Sequence, residues 1–192
     1  MEKNKRQVPR LRFPGFNDAW EQRKLGELAW FTKGNGYSKA DLTEQGEPII
    51  LYGRLYTKYQ TAINDVDTFV SNLSSFTIKS SGNEVIVPAS GETAEDIARA
   101  SAVIKQGVIL GGDLNIVTPK SIINSVFLAL MLSNGRQQKE LAKRAQGKSV
   151  VHLRNSDLQE VSLLYPSLEE QTAIGNFFRQ LDAAIASHQR KA

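Results

Sequence analysis

The chain of 192 residues contains no cysteine, which excludes disulfides and thiol chemistry and fits a reducing cytoplasm. No apolar run approaches the roughly 20 residues needed to cross a bilayer, and the opening "MEKNKRQVPR" lacks the apolar stretch of a secretion signal. A soluble cytoplasmic protein is therefore expected. There is no Pro–Pro pair, so the "NPP" or "DPP" core expected of an adenine methyltransferase is missing, and "GGDLN" at Gly111–Asn115 reads as a tight turn. No lysine follows an acidic residue at the two-residue spacing common in nucleases. Internal repeats and low-complexity tracts are also absent.

Three motif fragments fail on their surroundings. "GKS" at Gly147–Ser149 would need a glycine where Ala142 stands to form a phosphate-binding loop. Ser149, His152 and Asp157 have the residue types of a hydrolytic triad, but "SVVHL" reads as a strand that sends Ser149 and His152 to opposite faces. That leaves His152 as a structural or DNA-contacting histidine. "SGETAED" at Ser90–Asp96 carries three carboxylates within five residues. Three readings remain for it: a loop in which Thr93 caps a helical turn with Asp96 reaching back, a base reader with Glu92 accepting from cytosine beside Ser90 and Thr93, and a metal site.

What is present is patterned charge. The net charge is only +4, but between Arg136 and Arg154 the sole anion is Glu140, and the first 24 residues are rich in lysine and arginine. Local basic patches suit a polyanion such as nucleic acid, or a solvated surface. "RQQKELAKRAQG" places Arg136, Lys139 and Lys143 on one helical stripe opposite Leu141, Ala142 and Ala145. In "LYGRLYTKYQ", Leu51–Gln60, an extended chain would align Tyr52, Arg54, Tyr56 and Lys58 on one face and Leu51, Gly53 and Leu55 on the other. Flat phenol rings, a guanidinium fork and an ammonium suit a nucleic-acid groove; ordinary cross-strand pairs are the alternative. "KGNGYSK" adds a glycine loop with Lys33, Asn35 and Tyr37.

Strand-like runs "PIILYGRLY", "NEVIVPAS", "SAVIKQGVIL" and "NIVTP" predict an α/β (α+β) fold with a β-rich centre. "SIINSVFLALMLSNG" predicts a buried helix ending at Asn134–Gly135. Ser167 with Glu170 forms a capping-box signature, and Ile174, Phe178, Leu181, Ile185 and His188 then recur as a heptad seam. A helix from Ser167 onward, about 38 Å long, needs a partner helix. The expected division is a loose segment 1–10, a globular domain 11–166 and a helix 167–192. Since no C-cap precedes Ala192, either the natural chain continues or a short form completes itself by pairing.

Five stretches in order, "LRFPGFNDAWEQRKLGEL", "PIILYGRLYTKYQ", "GNEVIVPASGETAEDIARAS" with "GGDLNIV", "AQGKSVVHLRNSDLQEVSLLYP" and "SLEEQTAIGNFFRQLDAAI", resemble the specificity subunit of type I restriction–modification systems. The resemblance implies one target-recognition domain plus its spacer helix, reading one half of a bipartite duplex site without catalysis or cofactors of its own. Modification (methyltransferase) subunits and ATP-driven restriction subunits would be its partners. A second copy or second repeat would pair through the helix, since a full family member carries two recognition domains. The expected base contact is Arg54, supported by Tyr52, Tyr56 and the Ser90–Thr93 loop; Lys58, Lys139, Lys143, Lys148 and Arg154 are expected at phosphates. The competing class is a coiled-coil adaptor without DNA readout.

Overall fold

A computed structural model describes residue 9, residues 11–147 and residues 149–189. Apart from Pro9, the expected loose segment 1–10 lies outside the described residues, as does Lys148. The chain opens with β1 (Glu21–Lys24), α1 (Leu25–Leu28), β2 (Ala29–Lys33), β3 (Leu42–Thr43), β4 (Glu47–Ile50) and α2 (Arg54–Thr57). Next come β5 (Ala62–Ile63), β6 (Phe69–Val70), β7 (Glu84–Pro88), β8 (Ser90–Gly91), α3 (Ala94–Ile97), β9 (Ser101–Val103), β10 (Ile109–Leu110) and β11 (Leu114–Pro119). Then follow α4 (Ser125–Leu132), α5 (Gly135–Arg144), β12 (Val151–His152), α6 (Asn155–Gln159), β13 (Ser162–Tyr165) and α7 (Leu168–Gln189).

The centre is a five-stranded sheet in the order β2-β11-β7-β9-β5, flanked by a four-stranded sheet β10-β4-β6-β3. Ribbons β1-β13 and β12-β8 complete the strands. Pairing is antiparallel except for β10 with β4 and β5 with β9. Both faces of the central sheet are covered. Val85, Val87, Ala102 and Val117 point into a core with Phe127, Leu128 and Leu132 of α4, while Ile86, Val103, Leu114 and Ile116 point to a second cluster with Ile50, Leu55 and Leu110. The two-residue period of strands sends neighbouring side chains into opposite cores, so these segments read as continuous apolar runs.

Three sequence expectations are corrected. The stretch 51–60 is not a strand: Tyr52 and Gly53 form a turn that leads into α2. In one helical turn Leu55 is buried, and the intended outer face is broken up, with Arg54 9% exposed and Tyr52 38% exposed. The long apolar helix begins at Ser125 because Asn124 caps it, its Oδ1 accepting from Phe127 N at 3.0 Å. The capping box at Ser167 is half formed: Glu170 N donates to Ser167 Oγ at 3.4 Å, but the Glu170 carboxylate is buried and takes Arg12 instead, at 2.8 and 2.6 Å.

Helix α7 docks through its first two turns. Gln171 donates to the carbonyls of Ile122 (3.0 Å) and Pro166 (2.9 Å) and accepts from Asn124 N (2.9 Å). Gly175 faces Asn124 and Val126 of the α4 start, where a Cβ would lie 3.4 Å from both. Ile174 packs against the core, whereas Phe178, Leu181 and Ile185 are 42%, 41% and 55% exposed and His188 is exposed too. The helix runs 22 residues, about 33 Å. No helix among the described residues is long and apolar enough to cross a membrane.

Candidate nucleic-acid interface

The register of the sheet brings separate sequence motifs to one end. Leu114 at the start of β11 pairs with Pro88 at the end of β7, and Asn115 with Lys33 at the end of β2. β10 runs parallel to β4 and both stop at the same level, Leu110 beside Ile50. The segments leaving β2, β4, β7 and β10 therefore converge there, carrying Lys33–Lys39, Leu51–Lys58, Ser90–Thr93 and Gly111–Asp113.

Glycine makes this convergence possible at two contacts. A Cβ on Gly34 would lie 1.9 Å from the Gly111 carbonyl oxygen, and Gly112 N donates to Gly36 O at 2.8 Å. The glycine loop and the "GGD" turn thus meet backbone to backbone. Tyr37 (φ 54) and Asp113 (φ 58) both adopt the left-handed conformation that L side chains rarely hold. They line one cleft of about 770 Å³ together with Lys39, Leu51, Tyr52, Arg54 and Lys58. Backbone strain of this kind is retained where surrounding contacts enforce it, commonly at functional sites.

The cations in and around the cleft differ sharply. The Arg54 guanidinium pairs with Asp67 and also donates to Gln60 Oε1 (3.1 Å) and Asp65 O (3.3 Å). Lys58 pairs with the other oxygen of Asp67. Hydrogen bonds from Lys58 and then Arg54 hold the Asp67 carboxyl well below the usual range. Arg54 is consequently not presented as an open fork. By contrast, Lys33, Lys39, Arg136, Lys139, Lys143 and Arg154 form no ion pair among the described residues, and all six are exposed.

The "SGET" loop lies next door. Tyr52 and Tyr56 meet edge to face at 6.3 Å, and Tyr56 Oη donates to Ser90 O at 2.8 Å. Burial, with the nearby Asp96 charge behind it, pushes the Tyr56 phenol up, so it stays a neutral donor. Ser90 Oγ lies 3.2 Å from His152 Nδ1 across the β8-β12 ribbon. The hydroxyl beside His152 is thus that of Ser90, and Asp157 is engaged with Arg154 N at 2.8 Å. Thr93 caps α3, accepting from Asp96 N (3.0 Å) and donating to Asp96 Oδ2 (2.7 Å), while Glu92 is exposed. No cluster of three or more acidic, histidine or cysteine side chains among the described residues is arranged to hold a metal ion. Helix α5 packs on α3 and α4 with Gln137 and Leu141 inward, leaving Lys139 and Lys143 exposed.

Asn35 and Tyr37 turn out to organise a segment that the sequence pattern did not single out. Asn35 Nδ2 donates to Phe76 O (2.7 Å), and Tyr37 Oη bonds Thr77 Oγ1 (2.8 Å) and accepts from Ser74 N (2.9 Å). Phe76 at that turn is 78% exposed. "SNLSSFT" has no apolar periodicity, so no sequence signal marked it. Asp67 was equally hidden, since only the fold brings it to Arg54 and Lys58.

The fold, a central sheet buried on both faces with a long helix after it, is shared with solved subunits of type I restriction–modification systems. The chain superposes on the type I restriction–modification system S subunit from M. genitalium with a TM-score of 0.64 at 19% identity, covering 96% of this chain and 46% of that one. For the HsdS subunit of Thermoanaerobacter tengcongensis the TM-score is 0.60 at 17% identity, with 93% and 42% covered. A chain from a structure described as the basis of "complex assembly and conformational transition of the type I R-M system" gives 0.63 at 18%, with the same coverage. This chain spans less than half the length of those three. No curated protein sequence matches significantly. The chain belongs to the family described as "Type I restriction modification DNA specificity domain", which it matches over residues 17–192.

Proposed function

We propose that this chain reads one half of a bipartite duplex DNA site, using the loop end of its central sheet, for a type I restriction–modification complex. The supporting observation is the convergence of four loops that carry Tyr37, Tyr52 and Tyr56 together with Lys33 and Lys39, exposed cations free of ion pairs among the described residues. Lys33, Lys39, Lys139, Lys143 and Arg154 are assigned to phosphates, which fix register and orientation. Tyr52 and the exposed Glu92 are the candidates for base edges, a carboxylate being an acceptor for the cytosine amine. Arg54 and Lys58, which share the single carboxylate of Asp67, act by holding the Leu51–Lys58 turn in place. His152 and Ser90 fix the "SGET" loop against β12, and Thr93 caps α3.

On this reading residues 11–166 form the recognition domain, and α7 joins it to a second copy or second repeat through Phe178, Leu181, Ile185 and His188. Modification subunits would supply adenine methylation and restriction subunits translocation and cleavage; this chain would contribute selection alone. Binding of the purified chain to mixed-sequence duplex across a salt series tests the reading. Log affinity should fall linearly with log salt, with a slope set by the number of phosphates neutralised. An adaptor without DNA readout would show no such dependence. Methylated-adenine maps from a host with and without the chain would then give the site.

A further inference from the structure

Phe76 is 78% exposed, more than any other large hydrophobic side chain among the described residues except Leu11, yet the turn that carries it is held in place. It occupies a turn at Ser75–Phe76 closed by Thr77 N and Thr77 Oγ1 on Ser74 O (3.2 and 2.6 Å), with Phe76 N donating to Ser74 Oγ (3.3 Å). The glycine loop clamps this turn through Asn35 on Phe76 O and through Tyr37, whose left-handed backbone aims its phenol at Ser74 and Thr77. Immediately downstream, Ile78 O accepts from Leu110 N at 2.9 Å, so the turn projects from the same sheet end as the other loops. The ring itself has no ring partner and belongs to no hydrophobic cluster among the described residues.

Scattered surface apolar residues are ordinary. An apolar ring carried on a turn whose backbone is held by the side chains of Asn35, Tyr37, Ser74 and Thr77 is different, because ordering that turn to present the ring has no return unless something covers it. The loop that clamps the turn also carries Lys33 and Lys39, both exposed and without ion pairs among the described residues, so the surroundings favour a polyanion over an apolar protein surface. An apolar side chain flanked by phosphate-binding cations matches the wedge that enters a base step and partly unstacks it.

Resting on the DNA-reading proposal above, we infer that Phe76 is a specificity-determining wedge: its ring inserts at a base step of the bound duplex, while Asn35 and Tyr37 hold it ready. The step it enters should be a flexible pyrimidine–purine step.

The test uses the full chain and the strongest-binding duplex selected from a randomised pool, with 2-aminopurine placed at successive positions. In the wild type one position should brighten on binding as its stacking is lost. Phe76→Ala should weaken binding about 5- to 150-fold, abolish the brightening and leave the salt slope unchanged, because no phosphate contact is removed. Lys39→Ala should instead lower the slope by about one and keep the fluorescence change. Phe76→Leu, which keeps an apolar tip without the flat ring, should fall between wild type and Phe76→Ala in affinity and retain the wild-type melting temperature. Wild-type affinity and fluorescence in Phe76→Ala would overturn the wedge while leaving DNA reading intact. A changed salt slope in Phe76→Ala with the brightening retained would overturn it too, as would a wild-type complex in which no position brightens. A wild-type chain that binds no duplex at all would remove the reading on which the wedge rests.

Discussion

Replacing Arg54 by alanine separates two roles that give opposite signatures. The side chain is 7% exposed and its guanidinium reaches Asp67, Gln60 and Asp65 O. A hydrogen bond from a charged group contributes about 1.5–3 kcal/mol, but the loss should not reach the sum of three. Asp67 is 56% exposed and keeps Lys58, so its carboxylate is left neither buried nor unpaired. The expected cost is about 2–3 kcal/mol, the range of a broken, partly buried network. For a domain of this size each kcal/mol lowers the melting temperature by about 2–4 °C, which gives a fall of roughly 4–12 °C. Arg54→Lys should recover little of it, because an ammonium cannot fork to Asp67 and Gln60 at once. Thermal melting read alongside binding-site selection decides the matter: a lower melting temperature with unchanged base preference is expected. An unchanged melting temperature with preference relaxed at one base pair would refute the positioning role and restore Arg54 as a base reader.

Lys139→Ala and Lys143→Ala should each lower the slope of log affinity against log salt by about one and weaken all duplexes alike, checked by titration on selected and scrambled sequences. Gly34→Ala forces a Cβ to 1.9 Å from Gly111 O, so the glycine loop and the "GGD" turn must part; overpacking of this kind costs about 1–3 kcal/mol in chemical denaturation. Gly53→Ala has open space and a helical φ of −59°, and should stabilise by about 0.4–1 kcal/mol in the same assay. Acid should destabilise the fold through Asp67 and Glu84. Lys58 and Arg54 depress the first, and for the second hydrogen bonds from Ser81 and its neighbours outweigh the upward push of burial. A carboxyl depressed in the native state gives stability that is complete above the unfolded value, about pH 4, and is lost as pH falls through the native value. Asp67→Asn should flatten that acid limb in melting curves recorded from pH 6 to pH 2, and an unchanged limb would contradict the assignment.

Local periodicity made much of the scaffold legible. Val85, Ile86 and Val87, then Ile116 and Val117, are apolar at successive positions because both sheet faces are covered, and such runs are visible in a sequence. Leu141 against Lys139 and Lys143 marked an amphipathic helix, and the spacing from Ile174 to Ile185 marked α7. The turn at Tyr52–Gly53 was misread because aromatic alternation mimics a strand, while Leu51 and Leu55 fit one helical turn equally well. Contacts between distant residues left no trace. Arg12 meets Glu170 across 158 positions, and Asn35 meets Phe76 across 41, so neither pairing has a local pattern to announce it. The same blindness explains why Asp67, the counter-charge of the cleft, escaped notice.

The doubly covered sheet has a consequence for how this molecule can change. Its folding energy is stored in two apolar layers that the loop tips do not enter, so substitutions at exposed tips such as Tyr52, Phe76 and Glu92 carry little thermodynamic penalty. Selection is then free to rewrite the tips on an unaltered frame. The backbone-on-backbone contacts of Gly34 with Gly111 and of Gly36 with Gly112 limit how far a new vocabulary can stray.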